Sequence, residues 1–323
     1  MASFRLKFED GLRARGLDLT HDLSQPAEAV LVIGGTRDLL PLWKARRRGA
    51  HVVQRLDGIN WVQRARWTGP RYHLRAEYGN LLLAFIRARL TDGVVYQSQF
   101  IRRWWEDWYA PASAPARVIL NGVDLQRYTP EGPSDLPADK FRLLVVEGSL
   151  AGGLNTGLHA AARLTGMLAA ERKFPVELVV AGQVDKKTQA DLPGRSRAPI
   201  RFLGRVPREQ IPALDRSAHL LFSAEINPPC PNSVIEALAC GLPVLGFDTG
   251  ALGELVAGDA GRLVPYGGDA WKLEPPDVPA LIEPAMEILN DQPRFRRAAR
   301  ARAEDALGLD RMVDAYLSAL FGS

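Results

Sequence analysis

Short apolar runs separated by longer stretches of mixed polarity set the rhythm of the chain. Ala29–Ile33, His51–Gln54, Gly93–Gln97 and Ala116–Leu120 read as strands, because continuous β-branched and aliphatic runs of this length suit strands buried on both faces of a parallel sheet. Thr129–Asp139 breaks both periodicities with Pro, Gly, Ser and acidic residues and reads as a linker. Beyond it Phe141–Val146, Val176–Gly182, Ile200–Gly204, Ala218–Phe222 and Pro243–Phe247 form a second series of buried strands between helical segments. That alternation predicts a doubly wound α/β unit that takes ligands beyond the carboxyl ends of its strands. Near the end of the chain Met312, Ala315, Tyr316 and Leu320 share one helical face.

The segment Pro228–Phe247 carries the densest chemistry. Ser233 and Glu236 have the spacing of a capping box, and Pro231 and Asn232 just before them favour a turn, so a helix is expected to start there. Val234, Ile235, Leu238 and Ala239 supply its apolar face, while Gly241 and Pro243 end it after about two turns. A helix entered from a Pro-rich loop offers unpaired N–H groups and the positive end of its dipole, which suits a phosphate. Glu236, placed in the first turn, would accept hydrogen bonds from ribose hydroxyls. Taken alone, the same residues could equally serve only to cap a helix.

A longer ordered pattern sharpens this reading. Asn232 to Val244, then Thr249-Gly250-Ala-Leu-Gly-Glu254-Leu-Val, then Gly261-Arg-Leu-Val-Pro and Asp269 resemble the donor-binding segment of family-4 retaining glycosyltransferases of GT-B fold, with this chain a divergent member. Arg117–Asp124 and Tyr128-Thr-Pro130 resemble the end of the first domain of the same enzymes. The resemblance implies two doubly wound Rossmann-like domains facing a cleft. It divides the chain into an acceptor-side domain over residues 1–130 and a donor-binding domain over residues 131–307, with a C-terminal helix over about 308–323 returning to the first. It also implies that the first strand of the N-terminal domain is missing, since Phe4–Gly16 resembles the helix that follows that strand and Leu17–Leu23 resembles the next strand.

The implied activity is transfer of a sugar from a nucleotide-diphosphate sugar to a glycan, lipid or small-molecule acceptor, with retention of configuration and without a metal or other cofactor. In that arrangement the base contacts backbone around Arg205, the ribose pairs with Glu236, and the diphosphate meets the start of the helix at Asn232, Ser233 and Val234. Gly148, Ser149, Gly152 and Gly153 complete the diphosphate site. Ser149 and Gly152 stand where the family places its Arg and Lys, so phosphate would be held by backbone N–H groups of a glycine-rich loop. Where relatives carry a His after a first-domain strand this chain has Asp57, a carboxylate able to orient a sugar hydroxyl or stabilise an oxocarbenium-like transition state. An ordinary Asp-Gly turn is the competing account of Asp57. The family's first glutamate falls at Pro228, with Glu225 three residues away as a substitute.

Length and composition agree with two α/β domains: 323 residues and 46% hydrophobic content allow each a core. No run approaches the roughly 18 to 20 apolar residues of a spanning helix, so a cytoplasmic setting is the default, with cell-envelope polysaccharide synthesis the implied context. Cys230 and Cys240 have no metal-ligand spacing. The net charge of +4 is not concentrated into a nucleic-acid module, and no nucleic-acid partner is expected. Basic residues do cluster in Lys44–Arg48 and beside the aromatics of Ile101–Tyr109. Both could meet anionic lipid at the inner face of a membrane, or be a solvated helix face and a buried aromatic anchor. Two other classes remain open: a non-catalytic GT-B-like nucleotide-binding or partner protein, and a nucleotide-sugar epimerase. Five His residues, none in a site motif, speak against the epimerase.

Overall fold

The computed structural model describes residues 2–149, 155–171 and 175–322. In chain order its elements are α1 (Ala2–Arg13), β1 (Ala29–Ile33), α2 (Leu39–Arg47), β2 (His51–Leu56), α3 (Val62–Ala65), α4 (Pro70–Arg89), β3 (Gly93–Tyr96), α5 (Gln99–Tyr109) and β4 (Ala116–Val118). There follow β5 (Phe141–Ser149), α6 (Thr156–Glu171), β6 (Val176–Gln183), α7 (Lys186–Asp191), β7 (Ile200–Gly204), α8 (Ile211–Arg216), β8 (Leu220–Phe222) and α9 (Asn232–Ala239). The last are β9 (Val244–Phe247), α10 (Leu252–Leu255), β10 (Gly261–Val264), α11 (Ile282–Asn290), α12 (Gln292–Ala306) and α13 (Leu309–Phe321). The chain divides into two units, Met1–Gly122 with Leu309–Ser323, and Val123–Gly308.

The first unit holds a parallel sheet in the order β1-β2-β3-β4. Strands laid down in sequence order by right-handed crossovers put their connecting helices on one face. Val52, Leu56, Val94 and Tyr96 point to that face and pack with residues of α2, α4 and α5. Val53, Val95 and Leu31 alternate to the other face, where α1 and α13 cover them. Phe4 and Phe8 of α1 each meet Tyr316 of α13 with ring centroids 5.2 Å apart.

One sequence expectation is overturned here, and one of two open readings is decided. Leu17–Leu23 is irregular rather than a strand, because its polar side chains engage nearby backbone: Thr20 Oγ1 accepts the Asp22 amide at 3.1 Å and Asp22 Oδ1 accepts the Ser24 amide at 2.8 Å. Such bonds favour turns over a ladder. The aromatics of α5 are a core element rather than a lipid anchor, since Ile101, Trp104 and Trp105 are buried against Leu56, Val94 and Tyr96.

The second unit has the sheet order β10-β9-β8-β5-β6-β7, all parallel. Winding reverses between β5 and β8, which defines a switch point. Leu143, Val145, Leu178, Val180, Leu220 and Phe222 pack on α6 and α11 on one face. At the amino ends of the strands lies a closed polar cluster. Arg142 Nε donates to Glu177 Oε1 at 2.6 Å, its Nη1 donates to the carbonyls of Asp135 and Ser217 at 2.8 and 2.9 Å, and its amide donates to His219 Nδ1 at 3.0 Å. Burial pushes Glu177 up, but the Arg142 hydrogen bond and charge outweigh it and hold the carboxyl below its ordinary value.

Candidate active site

At the switch point the carboxyl ends of β5 and β8 bring Glu147 and Gly148 close to Ser223, Ala224 and Glu225. The start of α6 seals one side: a Cβ on Gly157 would sit 1.8 Å from the Ala224 carbonyl oxygen, so only glycine lets helix and strand end meet there. A crevice opens at this point, lined by Thr156, Gly157, Ser223, Glu225, Thr249 and Tyr266 among others, and its described lining includes no cation. Ser223 Oγ is buried there without a hydrogen-bond partner.

The loop leading to α9 is pinned to the segment after β9. Asn227 has φ 53°, a left-handed conformation that non-glycine residues seldom adopt, and its buried Nδ2 has no partner. Its amide donates to Thr249 Oγ1 at 3.4 Å, and the Ala251 amide donates to the Pro228 carbonyl at 2.8 Å. Gly250, at φ 62°, admits this approach, since a Cβ would lie 2.4 Å from Pro228 N.

The helix itself begins two residues before the start that the capping-box spacing predicts. Pro231, with φ −68° and ψ 119°, is the N-cap and offers no side-chain bond. Asn232 is already helical, so Ser233 lies inside the first turn and the capping box does not form. Among the described residues the N-cap therefore supplies no side-chain acceptor to the first N–H groups of α9, which is the condition for anion binding at a helix start. Glu236 is the fifth helical residue, in the second turn rather than the first, and is 8% exposed.

Glu236 sits in a cluster of buried titratable groups. Burial, and next the Glu236 charge, push the Tyr128 hydroxyl up to about 12. The same two causes in the same order hold Asp215 well above the carboxylate range. Burial and then Asp215 push up the Cys240 thiol. Glu147 is also held well above the usual range, by burial first and the nearby Glu225 charge second. Arg208 neighbours the Tyr128 hydroxyl, and its buried Nε has no hydrogen-bond partner.

Of the residues singled out from sequence, Gly148, Ser149 and Glu225 cluster at the switch point, and Asn232, Ser233, Val234 and Glu236 lie on α9. Arg205 is exposed in the loop after β7. Gly152 and Gly153 lie outside the described residues. Asp57 belongs to the first unit, one residue past β2, where its carbonyl accepts Trp105 Nε1 at 2.8 Å. Sequence reasoning did not single out Glu147, Ser223, Asn227, Tyr128 or Asp215 as site residues. Glu147 had a visible signal, a carboxylate that ends an apolar strand run. The others depend on packing between distant segments. Among the described residues no group of three or more His, Cys, Asp or Glu is placed to hold a metal ion.

The sheet order and switch point define a Rossmann-type α/β unit. Residues 142–291, which lie within the second unit, match the family described as glycosyl transferases group 1. A 2-deoxystreptamine N-acetyl-D-glucosaminyltransferase of Streptomyces fradiae is 30% identical over 108 residues, which are 33% of this chain. The match spans about a quarter of that relative, 24% of its length. Sucrose-phosphate synthase from Thermosynechococcus elongatus superposes with a TM-score of 0.66 at 18% identity, covering 92% of this chain and 74% of that one. HepE of Anabaena, solved with UDP-glucose, gives 0.65 at 19% identity over 90% and 79%. These likenesses establish the GT-B-type fold that the sequence pattern implied.

Proposed function

We propose that the protein is a glycosyltransferase that takes its sugar from a nucleotide-diphosphate donor held by the second unit. The observation that carries this reading is the start of α9, without a side-chain cap, beside the switch point of a sheet inside the family-matched span. The N–H groups of Asn232, Ser233 and Val234 receive the diphosphate together with the backbone at Gly148 and Ser149. Glu236 takes the ribose hydroxyls, and the base lies along the backbone around Arg205. Glu225 and Asp57 are the candidates for the sugar hydroxyls and the developing positive charge.

Transfer proceeds with retention and without a metal. The acceptor hydroxyl attacks the anomeric carbon from the face the diphosphate leaves, the bond to the phosphate oxygen breaks, and that oxygen takes the acceptor proton. Such a step asks little of side-chain bases and much of leaving-group stabilisation. The UDP-glucose in the HepE structure and the N-acetylglucosaminyl transfer named for the Streptomyces fradiae relative make UDP-sugars the first donors to test. The acceptor is a glycan, a lipid or a small molecule, met in the cytoplasm, with cell-envelope polysaccharide synthesis as the context.

One observation favours a second reading, a nucleotide-binding protein without turnover: Glu147 and Glu225 supply carboxylates where a diphosphate needs positive charge, and the described crevice lining supplies no cation. Proton NMR of the protein with a panel of UDP-, GDP- and dTDP-sugars, with and without a chelator, separates the two. Slow donor hydrolysis giving the donor's own anomer, unaffected by the chelator, is the expected result. Binding without turnover supports the second reading, and binding of no donor defeats both.

A further inference from the structure

The first unit carries an exposed apolar surface that neither its core nor the donor reading uses. On α4 the residues Leu74, Tyr78, Leu81 and Phe85 are 70%, 58%, 61% and 48% exposed. Their spacing of four, three and four residues puts them on one stripe, about 16 Å long at 1.5 Å per residue. The opposite face of the same helix holds Ala76, Asn80 and Ile86, which are buried. Trp67, just before α4, is 82% exposed.

α2 extends the surface. Leu42 of α2 and Ile86 of α4 share one core cluster, with Leu39 and Leu82 packed beside it. Arg46 Nη1 donates to the Arg89 carbonyl at 3.0 Å and ties the ends of the two helices together. Trp43 is exposed on α2, with the Arg47 guanidinium 5.1 Å from its ring centroid. Lys44, Arg47, Arg71 and Arg75 are exposed alongside, and α2 contains no acid at all. The one acid on α4, Glu77, is bound by Arg64 at 2.6 Å. Burial opposes that hydrogen bond without overcoming it, and Glu77 is held down at about 2.

We infer that this α2–α4 face docks the protein on an anionic lipid bilayer. Contiguous exposed apolar side chains of this extent mark an interaction surface. Trp67 and Trp43, outside the α4 stripe, and Tyr78 within it suit the headgroup boundary, and the exposed Lys44, Arg47, Arg71 and Arg75 suit anionic phosphates. The helix lies in the plane of the membrane rather than across it, because no helix among the described residues is long and apolar enough to span one. A second copy fits less well: in a two-fold contact on this face Arg71 and Arg75 would meet their own copies. The inference stands apart from the donor-site reading, since no residue of the second unit enters it.

Flotation with phosphatidylcholine vesicles, with and without phosphatidylglycerol, tests it. The protein should float with the phosphatidylglycerol vesicles, less with the neutral ones, and less as salt is raised. Leu74→Ser combined with Leu81→Ser and Phe85→Ser should weaken binding about tenfold or more, and Arg71→Glu with Arg75→Glu should do so independently. Both variants change exposed positions, and circular dichroism melts should stay at the parent value. Failure of the parent protein to float, or equal flotation of both variants, overturns the inference. So does a parent dimer in solution that the Leu74→Ser, Leu81→Ser, Phe85→Ser variant converts to a monomer while vesicles bind neither, which would assign the face to a second copy.

Discussion

At the amino ends of β5 and β6 in the second unit, Arg142 meets Glu177, two carbonyls and, through its amide, His219, which leaves its buried charge fully matched. At the carboxyl end of β5, Glu147 faces the like charge of Glu225, and after β8 and in the following loop Ser223 Oγ and Asn227 Nδ2 are buried without partners. The same sheet therefore has one end in which polar groups satisfy each other and one in which they do not. Buried groups without partners cost free energy, so an end built this way is expected to gain from a ligand, while the closed end contributes only to stability.

The contrast can be broken most severely at Arg142. Arg142→Met removes the main partner of the Glu177 carboxylate, leaving it Lys140 Nζ at 3.4 Å, and should cost about 3 kcal/mol in urea unfolding, with nucleotide affinity at low urea unchanged. A large loss of affinity with little loss of stability would invert the assignment of the two ends.

His219 gives the closed end a pH signature. Burial first, then the charges of Arg296 and Arg142, hold its pKa down at about 4, below the ordinary 6.5, and its Nδ1 must stay unprotonated to accept the Arg142 amide. Between those values the unfolded chain binds more protons than the folded one. The contribution is thus complete above pH 6.5 and is lost as pH falls toward 4, by about 3 kcal/mol in all. Urea midpoints of parent and His219→Gln, measured across that range, should converge as the pH drops.

The open end should respond in the other sense and through ligand. Burial and then the Glu225 charge hold the Glu147 carboxyl well above its ordinary value, so the negative charge it gains as the pH rises opposes a diphosphate bound beside it. Nucleotide affinity should fall as pH rises. Glu147→Gln should flatten that trend and tighten binding at the upper end by about 1 kcal/mol, roughly fivefold. Calorimetric titration at several pH values reads both.

Much of this was legible in the sequence because parallel strands buried on both faces leave continuous apolar runs: Phe141–Val146 and Val176–Gly182 mark β5 and β6 directly. What was not legible depended on which of two local solutions the chain takes. Leu17, Leu19 and Leu23 alternate like a strand, but Thr20 and Asp22 bond their own backbone instead. Ser233 and Glu236 have cap spacing, but Pro231 already sets the N-cap. Along α4, Leu82 and Ile86 are as apolar as Leu81 and Phe85, and periodicity alone does not say which stripe the sheet covers. In the site, Glu236 stood out through its motif, whereas Tyr128, Asp215 and Asn227 reach their places only through contacts between segments far apart in sequence.

The central claim is that the carboxyl edge of the second sheet, with Glu236 on α9, holds a nucleotide-diphosphate sugar. Calorimetric titration of the parent and of Glu236→Ala with UDP-, GDP- and dTDP-sugars tests it most directly. The account predicts that at least one donor binds the parent and binds Glu236→Ala about tenfold more weakly, a loss of about 1.4 kcal/mol, with the variant still folded. Equal affinity in the two proteins, or no donor bound by the parent, would contradict it.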